Sequence, residues 1–303
     1  MSDFAQLLNK LAVERDMGVL RANALKARNG KSLGLLLTLA PLAACSTNNG
    51  GLGEALSGGL PTGGGTTPTP TGSTTTGTPG NDTIDRRSST TDENIDGLDG
   101  TDVILTGSGN DRISGGPGND QIAGGAGNDI IFGNEGIDDL SGGFGNDIII
   151  GGPGRDTMDG GSGNDIFILI GTTAAGEYDL SDLTNSGGTG LDLSDILSLS
   201  DLNGRTVSDA VLGEKIDGGG GFDTLVIYGD VDLTGLDLQF IDQVIVNSTL
   251  TISAADLKAL GSMVGNGASR LVITDGGAGP VTVNITDTPI SGFRDVTLGD
   301  NVT

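Results

Sequence analysis

The feature that most constrains the fold is a nine-residue repeat between Gly97 and Ile168. Aligned from Gly97, the chain reads GLDGTDVIL, TGSGNDRIS, GGPGNDQIA, GGAGNDIIF, GNEGIDDLS, GGFGNDIII, GGPGRDTMD and GGSGNDIFI without a gap. Position six is aspartate in all eight units, and position eight is always apolar. A fixed short period of this kind predicts a solenoid of stacked repeats rather than a globular core of large side chains.

Each unit divides into a turn and a very short strand. Positions one to six predict a turn, because glycine accepts positive φ and lets neighbouring backbones approach closely. Positions seven to nine predict a strand whose eighth side chain points inward while its neighbours point outward. The predicted interior is then a row only one side chain deep, formed by Ile104, Ile113, Ile122, Ile131, Leu140, Ile149, Met158 and Phe167. A disordered acidic linker would give no reason for position eight to be apolar in every unit.

The charge and residue types limit the chemistry that is open to this chain. It has 40 acidic and 15 basic residues and a net charge of -25, which opposes a nucleic-acid partner and favours metal cations. Histidine is absent and Cys45 is the single cysteine, which excludes Ser-His-Asp catalysis, an internal disulfide and a multi-thiolate metal site. Carboxylate and backbone oxygens remain, and these suit hard cations such as calcium.

The repeat resembles the calcium-binding nonapeptide of RTX, or haemolysin-type, repeat proteins, whose pattern is G-G-x-G-x-D-x-U-x. The resemblance covers residues 97–168, with outlying copies GTPGNDTID at 77–85 and GGGGFDTLV at 218–226. It implies a parallel β-roll in which two units make one coil, so that aspartates 18 residues apart stack. It also implies a calcium ion between each stacked pair, giving about six sites, with oxygen ligands from the aspartates and the turns.

The implied ligands are one aspartate per unit and backbone oxygens of the glycine-rich turns. The aspartates are Asp102, Asp111, Asp120, Asp129, Asp138, Asp147, Asp156 and Asp165, and the glycines are Gly116, Gly118, Gly125, Gly127, Gly143, Gly145, Gly152, Gly154, Gly161 and Gly163. Stacked aspartates repel by about 1 kcal/mol per pair even at the dielectric constant of water. We therefore expect calcium binding and folding of the roll to be a single event.

The flanking sequence predicts four further segments. Residues 1–45 read as an N-terminal leader, and its end, Leu42-Ala43-Ala44-Cys45, resembles a lipobox with Cys45 as the lipidated residue; the alternative is a plain apolar leader with an inert cysteine. Residues 46–76 form a Gly/Thr/Pro-rich linker, 77–168 the roll and 169–217 a connecting segment. Residues 218–303 predict an irregular β-solenoid that caps the roll, with a small β-sandwich as the alternative.

Two export routes and several functions are compatible with these segments. Family members commonly leave the cell through a type I exporter that reads a C-terminal signal, and such a signal would be redundant with a lipoprotein leader. The first hypothesis is an all-β, non-enzymatic calcium-binding protein, extracellular or held at the outer cell surface, with a structural or adhesive role toward surface or matrix components. The alternative is an enzyme or accessory module acting on extracellular polysaccharide, with acid-base candidates Glu177, Asp179, Asp182, Asp192, Asp195, Asp223 and Asp230. A module that delivers or folds a partner enzyme shares every feature of the first hypothesis.

Overall fold

The computed structural model describes residues 73–173, 196, 197, 202, 204–277, 279–283 and 288–303. The predicted leader, Cys45 and most of the predicted linker lie outside these residues. The strands are β1 Thr74–Thr76, β2 Thr83–Asp85, β3 Asn94–Asp96, β4 Val103–Leu105, β5 Arg112–Ser114, β6 Gln121–Ala126, β7 Ile130–Phe132, β8 Asp139–Phe144, β9 Ile148–Ile150, β10 Thr157–Ser162, β11 Ile166–Ile170, β12 Lys215–Asp217, β13 Thr224–Tyr228, β14 Val231–Asp232, β15 Asp237–Gln239, β16 Gln243–Val246, β17 Thr249–Ser253, β18 Ser262–Gly265, β19 Arg270–Thr274, β20 Ile290–Ser291 and β21 Asp295–Leu298. A 3₁₀ helix spans Asp256–Ala259.

The strands pair in parallel and wind as a solenoid. In the described residues, one sheet has the strand order β1-β3-β5-β7-β9-β11-β13-β16-β18-β20, and the facing sheet has the order β15-β12-β10-β8-β6-β4-β2. Successive repeat units therefore alternate between the two sheets, and one coil contains two units. The predicted all-β class and parallel β-roll are confirmed.

The eighth residue of each unit lies in the interior between the two sheets. All eight predicted side chains are at most 1% exposed, from Ile104 to Phe167. The row continues at its start with Ile84 and Ile95, and the same cluster continues into the C-terminal coils. The predicted single-file core is correct for the repeats, because each three-residue strand can direct only one side chain inward.

The region after residue 217 continues the solenoid. Strand β13 pairs in parallel with β11, matching Ile166 with Thr224, and β16, β18 and β20 follow in the same sheet. A third sheet, in the order β14-β17-β19-β21, widens these coils around Leu233, Leu250 and Ile252. All pairings between these named strands are parallel, so the sandwich alternative is wrong.

The observed limits of the roll differ from the predicted ones at three places. Strand β1 pairs with β3 although Thr74–Thr76 was assigned to the linker. The copy at 77–85 is not isolated, because the 11-residue segment 86–96 forms the next unit and supplies β3. Strand β12, assigned to the connecting segment, pairs with β10 in the roll. Parallel pairing tolerates extra residues in a turn, and a strict nine-residue alignment therefore misses such units.

Between β11 and β12 lies the segment 171–214, and its described residues contact the outer face of the larger sheet. There, outward-facing Ile148, Ile150, Ile168 and Tyr228 form a second buried apolar cluster. Ile196, Leu197 and Leu202 of the inserted segment pack on it. Among the described residues, no helix has the length and apolar character needed to cross a membrane.

Candidate metal centre

The eight repeat aspartates stand at the ends of the turns, directly before the strands. All are at most 2% exposed. The backbone N–H of each of the first six donates to Oδ1 of the aspartate one coil further on, at 2.8 or 2.9 Å. The pairs are Asp102–Asp120, Asp111–Asp129, Asp120–Asp138, Asp129–Asp147, Asp138–Asp156 and Asp147–Asp165. The carboxylates thus form two rows, one along each edge of the roll.

The second carboxylate oxygen, Oδ2, is left without a partner. It is buried and accepts no hydrogen bond in seven of the eight residues, namely Asp102, Asp120, Asp129, Asp138, Asp147, Asp156 and Asp165. Asp111 is the exception, and the nearby hydroxyl of Thr106 opposes the rise of its pKa that burial causes. An ionised oxygen that is removed from water and unpaired costs free energy until a positive charge reaches it.

The glycines of the turns leave room for backbone oxygens close to these carboxylates. A Cβ at Gly115, the first residue of its unit, would overlap Oδ2 of Asp120 in the same turn. Gly118 has a φ of 151°, and a Cβ there would overlap the carbonyl oxygen of Gly100 in the preceding coil. Nine of the ten candidate glycines have positive φ, and Gly154 is the exception. The turns therefore stack through bare backbone, with carbonyl oxygens near the carboxylate rows.

The fifth position of the unit also has a structural role that the sequence did not reveal. The backbone N–H of Asn128 donates to Oδ1 of Asn110 at 2.8 Å, and Asn146 and Asn164 repeat this bond at 2.7 Å. These bonds run in the opposite chain direction to those of the aspartates. Side-chain hydrogen bonds of both directions therefore hold each turn against its neighbours.

Burial makes the aspartates weak acids in the absence of a cation. Removal from water raises the pKa of Asp129 to about 8 and the pKa values of Asp138, Asp147 and Asp165 to about 7. The backbone hydrogen bond to each carboxylate opposes the shift but does not cancel it. The same burial raises the pKa of Asp156 to about 6. A divalent cation beside these groups would replace the proton as the neutralising charge.

Four acidic residues outside the eight units extend the rows. The N–H groups of Asp82 and Glu93 donate to Oδ1 of Asp102 and Asp111, each at 2.8 Å. At the other end, Asp165 donates to Asp223 at 2.9 Å, and Asp223 donates to Asp242 at 3.0 Å. Glu93 was missed because segment 86–96 departs from the period, although its ending, ENID, keeps an acid two residues before an isoleucine.

The two acid-base candidates of the polysaccharide hypothesis that the structure describes, Asp223 and Asp230, have other contacts. Asp223 belongs to a carboxylate row, and Asp230 accepts hydrogen bonds from Ser248 and Thr249. The other acid-base candidates, Glu177, Asp179, Asp182, Asp192 and Asp195, lie outside the described residues.

The donor set fits calcium, which takes six to eight oxygen ligands at about 2.3–2.6 Å from carboxylates and carbonyls. In the described part of the chain, no group of three or more acidic or thiol side chains is arranged to hold one metal ion. The ligands of an ion would therefore be one or two carboxylates, with Oδ2 foremost, completed by carbonyl oxygens of the turns.

A parallel roll with buried aspartate rows and glycine-rich turns defines a calcium-binding repeat protein. Comparison with known families agrees: the RTX calcium-binding nonapeptide repeat, in its four-copy form, matches residues 96–131 and again residues 132–167. Residues 96–167 are thus RTX nonapeptide repeats, which bind calcium and typically have a structural rather than a catalytic role. No curated protein matches the chain.

Proposed function

We propose that this protein is a secreted or surface-held calcium-binding protein whose roll folds when it meets extracellular calcium. The observation that carries the proposal is the double row of buried Oδ2 atoms without hydrogen-bond partners. A single file of apolar side chains must offset this repeated burial of charge, and a cation between the turns removes the cost. The eight aspartates and the ten turn glycines named from the sequence are the proposed ligands.

Folding on calcium suits export of an unfolded chain. Calcium sites in extracellular modules bind at roughly 0.1–1 mM, far above the cytosolic calcium level. The chain would remain unfolded before export and fold outside the cell. Lipidation at Cys45 and a type I signal at the C-terminus are the two routes that this proposal allows.

The same features support a structural or adhesive role as part of this proposal. The folded roll is a stack of short coils that exposes an acidic surface, and it needs no catalytic group to act as a spacer or a contact surface. Surface or matrix components are the proposed partners. Capture of such components by the calcium-loaded protein, but not by the calcium-free protein, would support this role.

The direct test is far-UV circular dichroism of the full chain during calcium titration, with magnesium as the control. We expect a cooperative gain of strand signal at roughly 0.1–1 mM calcium and no gain with magnesium, which dehydrates reluctantly and demands a tighter octahedral shell. A strand signal that is complete in chelator and ignores calcium would overturn the proposal.

A further inference from the structure

The inserted segment 171–214 rejoins the roll at a buried cluster of acids. Strand β12 pairs with β10 so that Lys215 faces Thr157, which places Glu214 beside Asp156 of the carboxylate row. Asp156 is 1% exposed, and both Asp209 and Glu214 are fully buried. Glu214 thus occupies position six of an irregular turn. The five residues before it read DAVLG, so positions one, two and four, which are usually glycine in the repeat, are not glycine here.

Two oxygens in this cluster lack a partner. Oε2 of Glu214 accepts the N–H of Val211 at 3.0 Å, but Oε1 is buried without a hydrogen bond. Oδ2 of Asp156 is likewise buried and accepts no hydrogen bond. Asp209 differs, because its carboxylate pairs with Arg205 and accepts the N–H of Ile170. Glu214 and Asp156 are therefore the members of the cluster with a free ligand atom.

The charges at this point do not balance. Among the described residues, Arg205 pairs with Asp209, and no basic side chain forms an ion pair with Asp156 or Glu214. The segment 171–214 contains no basic residue other than Arg205. Lys215 pairs with Asp217 at 3.4 Å, and the exposed Arg155 lays its aliphatic part against Gly213. When Asp156 and Glu214 are both ionised, they carry two negative charges in a buried place, which is the charge that one divalent cation neutralises.

The irregular unit at residues 86–96 also has a glutamate at position six. Glu93 ends the turn of the 11-residue unit, is 3% exposed, and has Oε2 buried without a partner. A longer side chain at position six therefore occurs where the turn is not built from the nonapeptide. In both places the carboxylate still reaches the buried row.

We infer that Asp156 and Glu214 bind a divalent cation of the calcium type, and that this ion fastens the inserted segment to the roll. Glu214 lies outside the nonapeptide repeats, and the inference rests on the proposed calcium-dependent function. Its ligands would be Oδ2 of Asp156, Oε1 of Glu214 and nearby backbone oxygens. Fastening residues 204–214 at this point would keep Leu202 and its neighbours over the outer apolar face.

The test compares Glu214→Gln with Glu135→Gln in the full chain. Glu135 is an exposed residue in a repeat turn, so its variant controls for the loss of one glutamate charge. Native mass spectrometry at saturating calcium counts the bound ions. We expect E214Q to bind one ion fewer than the wild type and E135Q, and to be cleaved faster by protease within residues 204–214.

An E214Q variant that folds and binds the wild-type number of ions overturns the inference and leaves the proposed function intact. A wild-type protein that binds no calcium would instead refute the proposed function. Should E214Q fail to fold at saturating calcium, Glu214→Asp is the second variant to test. It keeps the carboxylate charge but shortens the side chain by one methylene group. A raised calcium midpoint for E214D supports the site, and an unchanged midpoint overturns it.

Discussion

The backbone N–H of Asp129 donates a hydrogen bond of 2.8 Å to Oδ1 of Asp147, its counterpart one coil further along the roll. One oxygen of each carboxylate is thereby used to hold the stack, while Oδ2 of both residues stays buried and unpaired. The same side chain therefore gives the roll its spacing and its need for a cation. Removing one aspartate charge should therefore stabilise the calcium-free roll and weaken the binding of calcium.

Replacement of Asp147 by asparagine tests this opposition. The asparagine side chain keeps the Oδ1 acceptor but removes one buried negative charge, so we expect a more stable roll in chelator and a calcium midpoint raised by at least about tenfold, or about 1.4 kcal/mol. Asp139→Asn, at an exposed outward position in β8, is the matched control. The far-UV circular dichroism strand signal in chelator and its titration with calcium measure both effects. Equal loss of stability in both conditions would contradict the account.

The calcium-free roll should become less stable as the pH rises. The buried aspartates have raised pKa values, about 8 for Asp129 and about 7 for Asp147, so the folded state holds more protons than the unfolded chain between about pH 4 and pH 8. Stability is then highest at the acidic end and is lost as these carboxyls ionise. Far-UV circular dichroism in chelator tests the direction, because the strand signal should be larger at pH 5 than at pH 8.

Calcium should reverse this dependence, because protons and calcium compete for the same oxygens. We expect the calcium midpoint to rise as the pH falls from 8 to 5. A calcium-free roll that gains stability toward pH 8 would show that the aspartates are not the destabilising groups.

Gly118 should not tolerate a side chain. With a φ of 151° and the carbonyl of Gly100 against its α-carbon, Gly118→Ala adds backbone strain of about 1–3 kcal/mol and separates two turns. Gly80→Ala is the control, because a Cβ at Gly80 meets nothing within 4 Å. We expect G118A to raise the calcium midpoint and G80A to leave it near the wild-type value. Indistinguishable titrations of the two variants would refute the close stacking of these turns.

The single-file core makes each interior residue important. Ile131→Ala should lower the free energy of unfolding of the calcium-loaded roll by about 2–5 kcal/mol, since the residue is fully buried. Ile137→Ala, at a residue that is 52% exposed, should change it little. Denaturant unfolding at fixed calcium measures both. A loss at Ile131 no larger than that at Ile137 would mean that the row is not the core.

The regular part of this architecture could be predicted because its period is local and unbroken. An apolar residue such as Ile122 at the eighth position of every unit fixes which face of the strand is inward, and the turn glycines fix where the chain bends. The stacking of Asp102 on Asp120 required knowledge of the number of units per coil, which came from the family resemblance. The hydrogen bond from the backbone N–H of one aspartate to Oδ1 of the aspartate in the next coil was not predicted. It depends on how far successive coils are displaced along the solenoid axis.

The interruptions could not be predicted from the period. Asp165 and Asp223 are neighbours in one row although they lie 58 positions apart, because β13 pairs with β11 across the whole inserted segment. The pairing of strands shows that Glu93 and Glu214 occupy positions equivalent to the repeat aspartates, although the turns before them depart from the nine-residue period. The apolar outer face formed by Ile148 and Ile168 was likewise unexpected, since outward positions of a solenoid are commonly solvated.

Hydrogen–deuterium exchange of the full chain in calcium and in chelator tests the coupling of metal binding and folding most directly. We predict that peptides within residues 97–168 are protected in calcium and exchange rapidly in chelator. Peptides from β13 to β19, which enclose a wider apolar core, serve as the internal reference and should lose less protection. Equal protection of residues 97–168 in calcium and in chelator would contradict the claim that calcium folds the roll.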